Sequence, residues 1–496
     1  MVSTGADASG PESSPEPMPE SATGSQAGPA EGRWAQRLAL LRHRDFRYLW
    51  LAEILSVAGD QVARVALTVL VLQRTGSIAG SAAVYALTFL PALLGGMFLG
   101  HLADRFARRT VMAACDLVRC VLVALMAVPG IPLPVVCALL VVTVLLTGPH
   151  GAARSSVLPD ILGGNLLPQG IALRQVSAQL AQVVGFACGG VLVAAATPAG
   201  ALLIDSVTFA VSSLLVAFGV RAAAAVRPAE ATGASGAAGP SRSAEDPDAA
   251  AADLAVDAGL PTGSDPTGSD PTGPDPTGTD PAGGAPEGKR RALADPRTGL
   301  RTVLLHPRRR YTALMSWLIG IYVLPEALAA GYAAQLGADP ADTGILMAAG
   351  PVGSVVGGAL FAFAIPAARR ESWMVPLAVG AAVPLTLTPL ATGMWAAFAL
   401  WTVSGACAMA SMVQAQTGFI RATPSEVRGR AVGVAASGLM ASQGVAILLA
   451  GIVAQWSAPA EALAAFGVLG VLLTLMLFTL GRSGRVVADE AAGATG

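Results

Sequence analysis

Charged residues are scarce in this chain. Asp, Glu, Lys and Arg make up 13% of its 496 residues, about half their share in a typical soluble protein. Hydrophobic residues, in contrast, account for 53%. This balance is typical of a membrane protein and argues against a soluble globular fold. The formal net charge of −1 and the lack of a basic domain give no support to nucleic-acid binding.

Cysteine and histidine are also few. The cysteines fall within apolar stretches with no paired spacing, which argues against a disulfide framework or a metal knuckle and favours small buried side chains. They are Cys115, Cys120, Cys137, Cys188 and Cys407. The histidines, in contrast, all fall in segments that we predict to be cytoplasmic. They are His43, His101, His150 and His306. We therefore expect carboxylates, and not a histidine relay, to carry any proton coupling.

Motifs of several other functional classes are missing. The sequence contains no HExxH motif, no paired membrane aspartates and no serine-based constellation, which argues against an intramembrane enzyme. It contains no GxxxxGK[ST] loop, which argues against an ATP-driven pump. We therefore expect no enzymatic activity, no cofactor and no metal site.

Long apolar stretches recur along the chain. Twelve segments of about 20 residues are each long enough to span a bilayer, and they fall into two sets of six. The first set covers about 47–72, 78–100, 111–128, 133–152, 171–195 and 199–220. The second set covers about 312–333, 342–365, 373–391, 394–419, 431–455 and 460–481. We therefore expect an all-α membrane protein with twelve transmembrane helices in two six-helix halves.

Low-complexity sequence separates the two sets. It is rich in Ala, Gly, Pro, Ser and Asp and contains the run PTGSDPTGSDPTGPDPTGTD from Pro261. Such a composition cannot bury enough apolar surface to offset its ordering entropy, so we expect a disordered linker, either an inert tether or a docking site. The predicted division is a cytoplasmic tail at 1–36, helical halves at 37–221 and 299–482, the linker at 222–298 and a second tail at 483–496.

Arginine residues mark one side of the predicted membrane protein. They concentrate in the breaks after the second, fourth, sixth, eighth and tenth segments. The alternate breaks, such as PGIPLP, ATPAG and QLGADPAD, are neutral or acidic apart from Arg74. Because cytoplasmic loops accumulate Lys and Arg, we expect a multi-pass protein of the cell membrane with both termini and the linker in the cytoplasm.

The break after the second segment reads GHLADRFARR. It resembles the signature loop of the major facilitator superfamily. The matching residues are Gly100, Leu102, Asp104, Arg105, Arg108 and Arg109. The resemblance continues in LLIDSVTFAVSSLL and SEVRGRAVGV. Together these stretches are similar to the branch of the superfamily that contains the enterobactin exporter and related drug:proton antiporters. It implies a major facilitator fold, with this loop as a latch that forms in one access state and breaks in the other. Anchoring to anionic lipid is the alternative role for Arg108 and Arg109.

Ionisable side chains within the apolar segments are the candidates for proton coupling, because a charge at membrane depth is costly. Glu53, Asp60 and Arg64 follow at spacings of seven and four, which places them near one line of a helix. We expect Asp60 to pair with Arg64, either as a structural ion pair or as the coupling pair. Glu326 has no basic residue nearby in sequence and is a further coupling candidate, unless it lies near the outer surface.

Uncharged polar residues in the apolar segments are candidates to line a substrate cavity. They are Gln175, Gln179, Gln182, Tyr322 and Gln414. Such groups also join helices by hydrogen bonds, so a structural role stays open for each of them. Asp116, Arg119 and Asp205 match the family pattern, and we expect them to serve in packing between helices.

The sequence therefore favours a secondary transporter. We expect a monomeric, proton-coupled exporter of a small organic molecule, such as a drug, a siderophore or a secondary metabolite, that works by alternating access in the lipid bilayer. An importer of the same fold and a transporter-like receptor without turnover are the alternatives. The identity of the substrate does not follow from the sequence.

Overall fold

The computed structural model describes residues 40–99, 102–162, 166–221, 296–366 and 369–493. All regular secondary structure in these ranges is helical, which confirms the all-α fold class. The predicted tail at 1–36 and nearly all of the predicted linker at 222–298 lie outside the described residues.

The N-terminal half begins with a helix of 32 residues that carries all three of its predicted coupling candidates. Its helices are α1 (Arg44–Thr75), α2 (Ile78–Ala86), α3 (Leu90–Leu99), α4 (Leu102–Arg105), α5 (Arg108–Met126), α6 (Leu133–Leu145), α7 (Thr147–Ile161) and α8 (Leu166–Gly219). The stretch α8 is interrupted at Ala196 and Thr197, whose backbone angles are not helical, immediately before Pro198. Proline disrupts a helix, so the predicted break ATPAG does divide two consecutive helices.

The C-terminal half begins near the end of the predicted linker. Its helices are α9 (Pro296–Leu304), α10 (Pro307–Ile319), α11 (Leu324–Gln335), α12 (Pro340–Ala364), α13 (Met374–Thr386), α14 (Met394–Arg421), α15 (Ser425–Trp456) and α16 (Pro459–Gly493). A 3-10 turn at Gly320–Val323 separates α10 from α11. Pro325 lies in the first turn of α11, where its missing N–H group costs nothing.

Many of these helices are suited to cross a membrane. Among the described residues, nine helical stretches are long and apolar enough to do so, and one of them is the interrupted stretch α8. The helix α13 is apolar but shorter. The architecture is therefore that of a multi-pass membrane protein, and the number of twelve spans stays a prediction.

The two halves meet at the end of the bundle that holds the connections α1–α2, α11–α12 and α15–α16. Gly190 of α8 and Gly344 of α12 bring their backbones into direct contact, because neither has a side chain between them. At the same end, Gln455 Oε1 accepts hydrogen bonds from Ser77 Oγ at 3.0 Å and from the Ala79 backbone N–H at 3.2 Å.

Candidate functional site

The partner of Asp60 is Arg119 of α5. Arg119 Nη2 donates a hydrogen bond to Asp60 Oδ1 at 2.7 Å. Arg64 lies one turn further along α1 and donates instead to Gln61 Oε1 at 3.1 Å. The predicted pair between Asp60 and Arg64 is therefore wrong. Arg119 from the neighbouring helix α5 binds the Asp60 carboxylate, and Arg64 binds Gln61.

Arg119 lies among several acidic and aromatic groups. Its side chain is only 4% exposed, and its Nη1 is 3.7 Å from Asp116 Oδ1. Its Cζ lies 4.0 Å from the centroid of the Phe209 ring, a cation–π distance. Asp116 also accepts a hydrogen bond from Ser212 Oγ at 2.6 Å and lies 3.5 Å from His150 Nε2. Asp116 and Arg119 thus do more than pack helices together, because they form one ionic network with Asp60.

His150 is buried in this network and does not lie in a cytoplasmic loop, so the expectation for this histidine is wrong. The helix continues over Thr147–Ile161, past the break that apolar length predicts after residue 152. Arg154, also expected in a loop, lies in the same helix. The polar run stays helical because its charged groups find partners inside the bundle: His150 faces Asp116, and Arg154 binds Glu53.

A small cavity opens beside the network. It has a volume of about 60 Å³ and is bordered by Asp60, Arg64, Arg119 and Asp205, with apolar side chains such as Leu140 around them. That space is enough for water molecules but far below the 300 Å³ or more of a typical site for an organic ligand. In the conformation described, the cavity is therefore too small for a typical organic ligand. We call the following residues the charge cluster: Asp60, Asp116, Arg119, His150 and Asp205.

Glu53 is enclosed by two arginines. Arg174 donates to its carboxylate through Nε at 2.5 Å and Nη2 at 3.0 Å, and Arg154 Nη1 lies 3.0 Å away. Glu53 is only 7% exposed. A buried carboxylate with two guanidinium partners from α7 and α8 is typical of a structural ion pair, so this geometry favours a structural role over coupling.

Glu326 faces the opposite half of the molecule. Tyr85 Oη of α2 donates a hydrogen bond to Glu326 Oε2 at 2.6 Å. The other oxygen of Glu326 packs against Gly350, where an added Cβ would lie 3.0 Å from it. The Arg64 guanidinium lies over the Tyr85 ring, 5.8 Å from its centroid. The structure thus places Glu326 at the interface of the halves, not at an outer surface.

Tyr322 does not share this environment. Its hydroxyl donates to the Ala378 carbonyl oxygen at 3.1 Å, and the residue is buried within the C-terminal half. Tyr322 and Glu326 therefore have different partners in this structure, and Tyr322 stays a predicted contact of the substrate. Tyr322 lies within the 3-10 turn at Gly320–Val323, whose tighter winding changes the helical register before α11 begins.

The predicted glutamine stripe lies on α8. Gln182 Nε2 donates to Gln179 Oε1 at 2.6 Å, and Gln175 is exposed one turn before them. Gln414 is half-buried on α14. Their geometry does not identify a ligand. The four glutamines therefore remain predicted contacts of the substrate.

The predicted latch loop is described in part. Gly100 lies outside the described residues, and the backbone of Asp104 lies in α4 while its side chain is not described. Arg105 is exposed. Arg108 Nη1 donates to Asp160 Oδ2 at 2.6 Å, and Arg109 Nη1 donates to the Val220 carbonyl oxygen at 3.2 Å. Both arginines therefore have protein partners, and lipid anchoring alone does not account for them.

Comparison with known proteins identifies the family of this chain. The sequence model of the Major Facilitator Superfamily matches residues 49–326, more than half of the chain. The chain belongs to the Major Facilitator Superfamily. Proteins of this superfamily are transporters and not enzymes, which confirms the expectation from the missing catalytic motifs.

Two curated relatives within the superfamily cover part of the chain. The multidrug efflux pump Tap of Mycobacterium tuberculosis (strain ATCC 25618 / H37Rv) is 32% identical over 180 residues, which are 34% of this chain and 42% of Tap. The uncharacterized MFS-type transporter YkuC of Bacillus subtilis (strain 168) is 26% identical over 180 residues, 36% of this chain and 42% of YkuC. The chain thus matches less than half the length of these relatives.

Solved structures share the fold over most of the chain. A POT family transporter in complex with 5-aminolevulinic acid superimposes with a TM-score of 0.62 at 8% identity, over 89% of this chain and 96% of that protein. A D-xylose-proton symporter gives a TM-score of 0.57 at 12% identity, over 88% and 97%. These likenesses confirm the major facilitator fold.

Several residues of the site in this superfamily member could not be predicted from the sequence. Arg174 and Tyr85 carry no local signal, because each meets its partner only when distant segments fold together. Asp116 and Arg119 do carry a signal, an acid and a base at i, i+3 in an apolar helix. That signal predicts a pair between the two, but not the shorter contact of Arg119 with Asp60.

Proposed function

We propose that this small-molecule transporter is a proton-coupled exporter of a drug, a siderophore or a secondary metabolite across the cell membrane. The observation that carries the proposal is the pair of Asp60 with buried Arg119 beside a small polar cavity. Export is supported by the similarity to Tap, whose name describes a multidrug efflux pump.

Proton exchange at Asp60 would act on this pair directly. An ionised Asp60 holds Arg119 by a charge-assisted hydrogen bond. A protonated Asp60 gives up most of that attraction, and Arg119 is then free to move toward Asp116, 3.7 Å away. Since α1 and α5 each supply one member of the pair, one proton changes how these helices are held together and therefore which access state is favoured.

Alternating access requires the two halves to separate at the end where they now meet. Their contacts include the backbone approach of Gly190 to Gly344, the hydrogen bonds of Gln455 with Ser77 and Ala79, and the hydrogen bond of Tyr85 with Glu326. With both termini in the cytoplasm, as the arginine distribution predicts, this end faces outward. The protein would then be closed to the outside, as expected for a transporter that loads its substrate from the cytoplasm.

The proposal is tested with purified protein in proteoliposomes. Ethidium and a panel of drugs and metabolites are offered as substrates, with and without an imposed pH gradient. We expect wild type to accumulate at least one compound only when the imposed proton gradient is directed out of the vesicles, as exchange for protons requires. Asp60→Asn should insert normally and still bind that compound but no longer accumulate it, and Glu326→Gln should show a weaker form of this defect.

The matched control is Glu461→Gln, which removes an exposed carboxylate in the first turn of α16. It should transport like wild type. Full pH-driven accumulation by Asp60→Asn would show that the coupling carboxylate lies elsewhere. Binding without transport of any compound would identify a receptor, and accumulation along an inward proton gradient would identify an importer.

A further inference from the structure

Asp205 is a buried carboxylate that the proposed mechanism has not used. It lies on α8 a short distance after the interruption at Thr197, and it is 1% exposed. Its Oδ1 accepts a hydrogen bond from Thr208 Oγ1 at 3.1 Å, whereas its Oδ2 has no hydrogen-bond partner. Buried polar atoms almost always have a hydrogen-bond partner. An unpaired carboxylate oxygen beside a cavity therefore indicates that it binds a group from the cavity, such as a proton, an ion or water.

The Asp205 carboxylate packs against the backbone of α1 at Gly59. A Cβ placed on Gly59 would collide with Asp205 Oδ1 and with Thr208 Oγ1. Only glycine at this position lets the Asp205 side chain lie against α1, next to Asp60. Both carboxylates border the same cavity, so the two acids form one built site.

The basic groups near Asp205 are engaged with other partners. Asp60 faces it from α1, and Arg119 and Cys120 face it from α5. Arg119 is already engaged with Asp60 at 2.7 Å and lies near Asp116 at 3.7 Å.

No arginine or histidine nitrogen lies within 4.0 Å of the Asp205 carboxylate in the described part of the chain. Arg64, which also borders the cavity, is directed to Gln61. His150 contacts Asp116. Asp60 and Asp116 therefore each have a basic side chain in contact, whereas Asp205 has none. Burying an ionised carboxylate without a contacting cation is costly.

We propose that Asp205 binds the coupling proton in the access state that the structure describes. This inference rests on the proposed function and names the proton site of this one access state, in which the pair of Asp60 with Arg119 is formed; Asp60 takes up its proton in the state in which that pair is broken. In the described state, the proton forms an O–H bond at a carboxyl oxygen of Asp205 and removes a charge that no cation contacts, while Asp60 stays paired with Arg119. When water in the cavity takes that proton away, the Asp205 carboxylate competes with Asp60 for Arg119, and the ionic network rearranges.

The test is infrared spectroscopy of the full chain in lipid nanodiscs, which detects the carbonyl stretch of a protonated carboxylic acid without any transport. Labelling with 13C at the aspartate carboxyl group shifts bands of aspartic acid and leaves those of glutamic acid in place. We expect wild type at neutral pH to show a label-sensitive band that disappears on alkalinisation. This band should be missing in Asp205→Asn. It should be present in Glu326→Gln, which removes a carboxyl group at the interface of the halves and leaves Asp205 in place.

Asp205→Glu keeps the experiment decisive if the asparagine variant does not fold. It should retain a protonated-acid band that no longer responds to the aspartate label. A label-sensitive band that persists in Asp205→Asn, or in folded Asp205→Glu, would overturn the proposal. So would the lack of such a band in wild type, or its loss when Na⁺ is added at constant pH, which would identify a sodium site.

Transport assays separate this proposal from the proposed function. Asp205→Asn should lose pH-driven accumulation and keep substrate exchange without a gradient. If wild type shows the label-sensitive band but accumulates no compound, the proposed function fails and the proton site stands. If Asp205→Asn lacks the band but keeps full pH-driven accumulation, the proton at Asp205 is not the coupling proton.

Discussion

The contact between Gly190 and Gly344 predicts that a single methyl group can shift the access equilibrium. A Cβ on Gly344 would lie 2.6 Å from Gly190 Cα, and it would also press on the Phe186 carbonyl oxygen and the Gly190 nitrogen. Ordinary van der Waals contact begins at 3.4 Å. In Gly344→Ala, α8 and α12 must therefore move apart by at least about 0.8 Å, the difference between 3.4 and 2.6 Å, at the point where the two halves meet.

This separation has a cost only in the state in which the two helices touch. Overpacking by one or a few carbon atoms typically costs about 1–3 kcal/mol. A difference of that size between two access states changes their ratio by about 5- to 150-fold. We therefore expect Gly344→Ala to depopulate the closed arrangement and to favour the state in which this end is open.

The assay is cross-linking between cysteines placed at positions 77 and 455, whose native side chains Ser77 and Gln455 lie 3.0 Å apart. The five native cysteines are first replaced. The cross-link should form readily in the parent and at least several-fold more slowly with Gly344→Ala. Gly151→Ala is the matched control, because a Cβ at Gly151 meets no atom within 4 Å. Equal rates in all three proteins would refute the argument.

Three further predictions concern other parts of the chain. Glu53→Gln should lower the free energy of unfolding by up to about 3–5 kcal/mol, because it leaves two partly buried arginines without their carboxylate. Tryptophan fluorescence during thermal unfolding measures this, and an unchanged transition would contradict it. Deletion of 261–280 should leave expression and transport nearly unchanged, since loop-closure entropy varies slowly with length, and loss of transport after normal insertion would indicate a bound partner instead. Asp104→Asn should slow transport with little change in substrate affinity, whereas equal loss of both would argue against a latch.

The helices could be predicted from the sequence because their signals are local. Apolar length and short polar breaks predict where spans begin and end, and the break ATPAG coincides with the interruption at Ala196 and Thr197. Errors arise where a polar run remains inside the bundle. Apolar length predicts a break after residue 152, yet α7 continues to Ile161 and holds both His150 and Arg154, whose side chains contact the buried carboxylates of Asp116 and Glu53.

The partners within the site could not be predicted in the same way. Spacing along α1 identifies Asp60 as a residue of interest, but the choice between Arg64 and Arg119 depends on how the helices pack. Asp60 and Arg119 are 59 positions apart, and Glu53 and Arg174 are 121 apart. Helical periodicity constrains contacts over one or two turns, so such pairs emerge only from the three-dimensional arrangement.

The small cavity beside the charge cluster lies wholly within the N-terminal half, and every residue on its border falls between positions 60 and 209. If the coupling proton binds there, as proposed, its site is separate from the faces through which the two halves touch. Side chains on those faces that do not contact the charge cluster could then be exchanged during evolution without disturbing the ionic network.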